Sequence, residues 1–315
     1  MEFKSFLDYL QLEKKYSQKT IIAYKNDLQN FQIFNHKKFE QKKIKNVNYS
    51  QIRSWVVSLV SDKISNKTIN RKISSLNSYY KFLLKIGEIK ANPLNEHKAL
   101  KTESTIQLPF SENEILNVLN SKNFENSFEG YRDYLILDML YSTGIRRQEL
   151  IDLKIKNIDF SNSRIKVLGK RNKERYIPLL EFTISLIKEY LEHRNKLKNI
   201  KSNDILFLTS KGKKIYDNLV YRITKKYFSG YSTKLKKSPH ILRHTFATHL
   251  LNNGADLNSV KDLLGHTSLA ATQVYTNRSI EEIKKVFKKS HPRNKAWFFS
   301  YFLIKKKYNL FCLKK

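Results

Sequence analysis

The chain holds a single cysteine, Cys312, in 315 residues, so an internal disulfide framework is excluded and a reducing compartment suits it. Its start, Met1-Glu2-Phe3-Lys4, lacks the apolar core of a secretion signal, and no apolar run approaches the length of a membrane span. A cytoplasmic protein with no membrane partner is the expectation. Acidic residues are scarce: 28 Asp and Glu stand against 60 Lys and Arg, leaving a formal charge of +32. A charge of that size implies a polyanionic partner, for which an anionic membrane or a heparin-like polymer competes with nucleic acid. With 40% hydrophobic residues, the chain is long enough for two domains with ordinary cores.

Residues 1–90 read as helices throughout. Phe3, Phe6, Leu7 and Leu10 form one apolar face, and Ser17 can cap a helix in which Ile21, Tyr24, Leu28 and Phe31 recur at helical spacing. A third helix follows Ser50, with Ile52, Trp55, Val56 and Leu59. A fourth begins near Ser65 or Asn66, carries Ile69, Ile73, Leu76, Tyr80 and Leu83, and ends before Gly87. Four amphipathic helices make a small bundle. Its polar faces bear Lys14, Lys15, Lys19 and Lys25 early and Lys67, Arg71, Lys72 and Lys81 late, and in a chain this basic at least one such face is expected to meet phosphate.

Residues 91–110 lack helical periodicity and contain Pro93 and Pro109, which marks a linker between domains. Ser111 and Glu114 then form a capping-box pattern, and a longer apolar helix runs from about Gly130 to Ser142 before Gly144. In Thr143-Gly144-Ile145-Arg146-Arg147-Gln148-Glu149 the glycine permits a tight turn that aims Arg146 away from the preceding helix, with Glu149 placed to orient it. Two alternating segments follow, Arg164–Leu168 and Arg175–Leu179, which read as a hairpin whose tip is Gly169-Lys170-Arg171-Asn172-Lys173.

The richest stretch spans 238–276. If a helix starts after Pro239, then His240, Arg243 and His244 share one face, and Leu242, Phe246, Ala247, Leu250 and Leu251 form the opposite, core-facing stripe. Gly265 can end a short helix at Leu264 and leave His266 on the turn, with Tyr275 nine residues on. The spacing of His240 and His244 could bind a metal, but no Glu follows His240 as in a zincin helix and only one cysteine exists, so no metal is expected. An arginine, three histidines and a tyrosine in about 40 residues suit a phosphate group better than other common substrates.

Those four stretches, in this order and at these separations, resemble the tyrosine recombinase family. Thr143–Arg146 is similar to its first-arginine box and Gly169–Arg175 to its lysine hairpin. His240-x-x-Arg243-His244 is similar to its central box, and Leu264-Gly265-His266 through Tyr275-Thr276 to its last histidine and nucleophile. The resemblance runs from residue 1 to about Arg293, and the length and the Ser290-His291-Pro292-Arg293 ending are closest to the Xer subfamily. It implies a mainly α fold with a small β-hairpin or sheet, arranged as a two-domain DNA clamp. The domains are an N-terminal core-binding bundle (1–90), a linker (91–110), a catalytic domain (111–293), and an extension of unassigned role (294–315).

The resemblance also implies the chemistry. Tyr275 is the nucleophile and forms a 3′-phosphotyrosyl link, Arg146 and Arg243 stabilise the phosphorane, and Lys170 is the acid for the departing 5′ oxygen. His240 serves as base or further donor, His266 donates to the phosphate, and Glu149 supports Arg146 from behind. No cofactor and no metal are needed, because the link conserves the phosphodiester energy for religation. The partners implied are double-stranded DNA, a homotetramer on two paired sites, and a septum-located DNA translocase that activates resolution of chromosome dimers at cell division. A phage or mobile-element integrase is the alternative, though it would usually add an N-terminal arm-binding domain. A type IB topoisomerase shares much of the chemistry. A non-catalytic DNA-binding protein would be equally basic but has no reason to keep six site residues. Arg171, where a glycine is common, and the aromatic run Trp297–Ile304 depart from the family pattern.

Overall fold

The computed structural model describes residues 3–102, 107–169, 174–265 and 277–294, with side chains of 277–283 outside that description. The chain forms two compact units, Met1–Thr105 and Ile106–Lys315.

In the first unit, α1 (Lys4–Asp8) continues through a π-helical turn to Glu13, burying Phe3, Phe6 and Leu10. Ser17 caps α2 (Gln18–Phe39) by accepting the Thr20 N–H at 3.2 Å, and α2 turns Ile21, Leu28 and Phe31 into the core. The helix expected after Ser50 starts earlier, as α3 (Tyr49–Ser61). Asn48 accepts the Gln51 N–H at 3.1 Å while Gln51 accepts the Asn48 N–H at 2.9 Å, so a reciprocal cap satisfies two donors that Ser50 could not. Ser65 caps α4 (Asn66–Lys85), which buries Ile69, Ile73, Leu76, Tyr80 and Leu83.

One carboxylate lies in this core. Asp27 accepts from Arg71 Nη1 and Nη2 at 2.5 and 2.9 Å, from Ser75 Oγ at 2.8 Å and from Lys72 Nζ at 3.3 Å. A buried charge needs such partners, so two of the cations read as phosphate contacts are at least partly committed to Asp27.

The stretch 91–110 is less of a linker than its composition suggested. Leu94 is buried in the bundle core, Leu100 exchanges two hydrogen bonds with the Asn70 side chain at 2.8 and 3.0 Å, and the Lys101 carbonyl accepts from Asn66 at 2.7 Å. Asparagine side chains on α4 thus take the place of the regular backbone pairing that a sequence pattern can register. At the other end, Phe110 is buried in the second unit.

The second unit is built around α6 (Phe128–Ser142). Leu135, Ile136, Leu137, Met139 and Leu140 are all fully buried, the signature of a helix covered on every side. Around it lie α5 (Glu112–Val118), α7 (Arg147–Ile151), α8 (Glu181–Asn195), α9 (Asp217–Ser229), α10 (Pro239–Asn252), α11 (Leu257–Leu264) and α12 (Asn277–Ser290). Ser111 and Glu114 form the expected capping box of α5. Antiparallel strands β1 (Ile158–Asp159), β2 (Arg164–Leu168) and β3 (Glu174–Pro178) make a small sheet in the order β1-β2-β3, with Val167 opposite Arg175.

The C-terminal segment returns to its own unit. Phe287 and His291 are fully buried, and Arg293 pairs with Asp138 at 3.1 Å, donates to Tyr134 Oη at 3.1 Å and stacks 4.4 Å from the Phe182 ring. In α12, Phe287 and Val286 join the core of their own unit, while the side chains of Ile280 and Ile283 fall outside the described ones.

Candidate active site

The site grows from the end of α6. Thr143 caps that helix, its Oγ1 donating to the Met139 carbonyl at 2.5 Å and accepting the Ile145 N–H at 3.2 Å. Gly144 then turns the chain with φ +58, and a Cβ there would lie 2.7 Å from Phe246 Cε1 and 3.1 Å from Leu264 Cδ2. Conformation and space both demand glycine. The turn delivers Arg146 to the start of α7, where its N–H meets Glu149 Oε2 at 3.0 Å and its Nη1 meets Oε1 at 2.9 Å. Its Nη2 reaches across to the Gly265 carbonyl at 3.0 Å.

Arg243 approaches from α10. The sequence placed it on an open polar face with His240 and His244, but only the two histidines are exposed there, and Arg243 is 9% exposed. Its Nη1 donates to the Gly144 carbonyl and its Nη2 to the Leu264 carbonyl at 2.6 Å. Arg243 sits about 60° round the helix from His240, enough to turn it inward, and a long side chain can cross the core edge with its head still at the site. The apolar stripe is correspondingly narrower, since Leu251 is exposed. Gly265, φ +64, caps α11 in the left-handed conformation and presents the carbonyl that Arg146 holds.

A residue with no distinguishing feature in its sequence neighbourhood completes the cluster. Arg175, 5% exposed on β3, donates from Nη1 and Nη2 to both oxygens of Glu149 at 2.8 Å each, and from Nε to the Leu263 carbonyl at 3.3 Å. Its position in an alternating strand reads as a pairing site, and only the location of Glu149 reveals the contact. Burial pushes the Glu149 carboxyl up, but the bonds and charge of Arg175, followed by those from Arg146, outweigh it and leave the carboxyl below its ordinary value. Burial, then the charges of Arg146 and Arg175, press the Arg243 guanidinium down to about 10, still cationic at neutral pH.

Three guanidiniums therefore cluster near one carboxylate, which binds two of them, and among the described residues no carboxylate pairs with Arg243. Such a partly buried excess of positive charge is stabilised by an incoming anion, and two arginine forks match the oxygens of a phosphate. His240 lies exposed in the first turn of α10. Lys170, His266 and Tyr275 fall outside the described residues, although Lys170 and His266 adjoin β3's hairpin and Gly265, and Tyr275 closely precedes α12.

Comparison with known proteins gives the family and the fold. Residues 108–282 match the Phage integrase family, and residues 3–87 match its N-terminal SAM-like domain. The chain is 39% identical over 292 residues to tyrosine recombinase XerC of Oceanobacillus iheyensis, covering 92% of this chain and 95% of that one. It is 34% identical over 314 residues to XerC of Chlorobaculum parvum, covering 91% and 93%. Among solved structures, XerH site-specific recombinase bound to palindromic difH substrate superposes with a TM-score of 0.65 at 26% identity, covering 85% of this chain and 79% of that one. The Tn1549 transposon integrase in complex with circular intermediate DNA shares the fold, with a TM-score of 0.64 at 22% identity over 87% and 95%.

Proposed function

The chain belongs to the phage integrase family and is a Xer-type tyrosine recombinase, and from that premise we propose how it cuts and rejoins double-stranded DNA. The supporting observation is the cradle of Arg146 and Arg243, in which Arg243 is held by the Gly144 and Leu264 carbonyls and Arg146 by the Gly265 carbonyl and Glu149. Carbonyls fix the Arg243 fork without neutralising it, and the carboxylate that pairs with Arg146 is shared with Arg175. Both arginines then retain N–H donors for the non-bridging oxygens of the scissile phosphate, whose charge grows in the transition state.

Tyr275 Oη attacks phosphorus as the P–O5′ bond breaks, giving a 3′-phosphotyrosyl link and a free 5′ hydroxyl. His240 takes the tyrosine proton or donates to the phosphate, His266 donates to the phosphate, and Lys170 protonates the departing oxygen. Attack by a 5′ hydroxyl of the partner site reverses the step and exchanges strands, with no metal or nucleotide cofactor. Four protomers on two paired sites, resolution of chromosome dimers in the cytoplasm, and activation by a septum-located translocase complete the reading. The domain roles are a DNA-gripping bundle and a catalytic unit that together embrace the duplex.

Trapping on a nicked suicide duplex tests the central step. Tyr275→Phe is expected to abolish the covalent adduct while gel shift shows nearly unchanged DNA binding, since one oxygen is lost. A persistent adduct in that variant would place the nucleophile elsewhere.

A further inference from the structure

Glu149 is surrounded more fully than a simple support for Arg146 requires. Its two oxygens accept four hydrogen bonds, two from Arg146 and two from the parallel fork of Arg175. Arg146 consequently reaches Glu149 with Nη1 alone, while its Nη2 stays on Gly265, and its side chain remains 29% exposed. Without Arg175, a nearly buried carboxylate would keep one strong donor within reach. The full fork of Arg146 would close on it, as guanidinium and carboxylate favour the bidentate arrangement. Arg146 would then turn from the phosphate toward its own support.

The location of Arg175 adds a second constraint. It lies on β3, the return strand of the Lys170 hairpin, paired with Val167 of β2. Its Nε reaches the Leu263 carbonyl, and its Cδ would stand 2.9 Å from a Cβ at Gly265, so it fills the space against the turn that precedes His266. One buried side chain thus touches the carboxylate behind Arg146, the base of the lysine hairpin and the end of α11.

We propose that Arg175 is a positioning residue for the cleavage step. By occupying one edge of Glu149 it keeps the Arg146 fork turned toward the phosphate, and by anchoring β3 it ties the lysine hairpin to the same carboxylate. This inference rests on the reading of the site as a phosphotyrosyl-forming centre. Arg175 touches neither substrate nor nucleophile in this account and acts through Glu149.

The test uses the full chain with Arg175→Gln, Arg175→Lys, Glu149→Gln and the double variant Arg175→Gln/Glu149→Gln. Single-turnover cleavage is read on two suicide duplexes. One has an ordinary scissile phosphate, and the other has a methylphosphonate there, which carries one fewer charged oxygen for Arg146 to stabilise. Arg175→Gln should slow phosphodiester cleavage by about 10²-fold, the effect of a catalytic group displaced by roughly 1 Å. DNA affinity should stay within about threefold, because the lost interaction acts in the transition state. The slowing should shrink to about threefold or less on the methylphosphonate, where the Arg146 charge matters less. Removing the competing carboxylate should restore part of the rate, so the double variant should cleave faster than Arg175→Gln alone. Arg175→Lys, which keeps the charge without the fork, should resemble Arg175→Gln.

Equal slowing on both duplexes, or a double variant no faster than Arg175→Gln, would show that Arg175 serves folding alone and overturn the proposal. If Arg175→Gln is too unstable to assay, the comparison between Arg175→Lys and the double variant decides in the same way. A wild-type chain that forms no phosphotyrosyl adduct on the ordinary duplex would instead overturn the reading of the site itself.

Discussion

Alanine at Gly144 perturbs fold and site together, and its cost can be worked from the geometry. The backbone stands at φ +58, where an L-residue is disfavoured by about 1–2 kcal/mol. The new methyl would also lie 2.7 Å from Phe246 Cε1 and 3.1 Å from Leu264 Cδ2, both in a filled core, and relieving such overpacking costs about 1–3 kcal/mol. The total, roughly 2–5 kcal/mol, should lower the melting temperature of the catalytic unit by about 4–20 °C, at about 2–4 °C per kcal/mol for a domain of this size. The same peptide carries the carbonyl that accepts from Arg243 Nη1, so cleavage should fall in the variants that remain folded. Differential scanning calorimetry would measure the first effect and suicide-duplex trapping below the transition the second. Gly230→Ala is the control, since its φ is ordinary and nothing lies within 4 Å of the added atom. A Phe246→Leu change, costly by itself, should be less costly in the Gly144→Ala background because it vacates the contested space. A Gly144→Ala melting temperature matching that of Gly230→Ala would refute the argument.

Two further outcomes follow from the C-terminal segment. Burial, then the Arg293 charge, holds the His291 imidazole down to about 3, and burial lowers that of His249. Their neutral forms are favoured by folding, so the unfolded chain binds more protons below its ordinary imidazole value. The His291 contribution is complete above about pH 6.5 and is lost as pH falls toward 3, at about 1.4 kcal/mol per pH unit within that window, and His249 acts in the same direction. Thermal melts from pH 7 to 4.5 should show the decline, and His291→Gln should flatten it; an unchanged slope would exclude His291 as its source. Truncation after Ser279 removes Phe287, His291 and Arg293, so it should destabilise the free catalytic unit by about 3–5 kcal/mol or more, as well as abolish any tetramer seen by light scattering on paired sites. Truncation after Asn294 should leave melting unchanged.

Elements governed by neighbouring residues were legible in the sequence. The caps at Ser17, Ser65 and Ser111, the hydrophobic repeats of α2 and α4, and the β2–β3 hairpin all depend on spacings of two to four residues. The order of the arginine, lysine, histidine and tyrosine boxes likewise identified the family before any fold was known. What escaped was set by partners far along the chain. Arg243 is buried because carbonyls at Gly144 and Leu264 receive it, and Arg175 matters because Glu149, 26 residues earlier, faces it. Leu94 and Leu100 look like linker residues until the side chains of α4 are seen to bind their segment. β1, two residues long, carries too little pattern to register.

The pins on either side of the stretch that carries Tyr275 have a polymer consequence. Gly265 is tethered through its carbonyl to Arg146, and α12 is tethered through Phe287, His291 and Arg293 to the same unit. Residue 265 and residue 284 are thus both fixed in one unit, which limits how far apart the ends of the intervening stretch can be. Loop closure depends only logarithmically on length, with a doubling worth about 0.6 kcal/mol, so small insertions near Tyr275 would change its local concentration by only a few fold. Losing the distal pin is different in kind, because it turns the loop into a tail. On the proposed reading of Tyr275 as nucleophile, a substitution at Arg293 would act by lowering the local concentration of that side chain at the cradle.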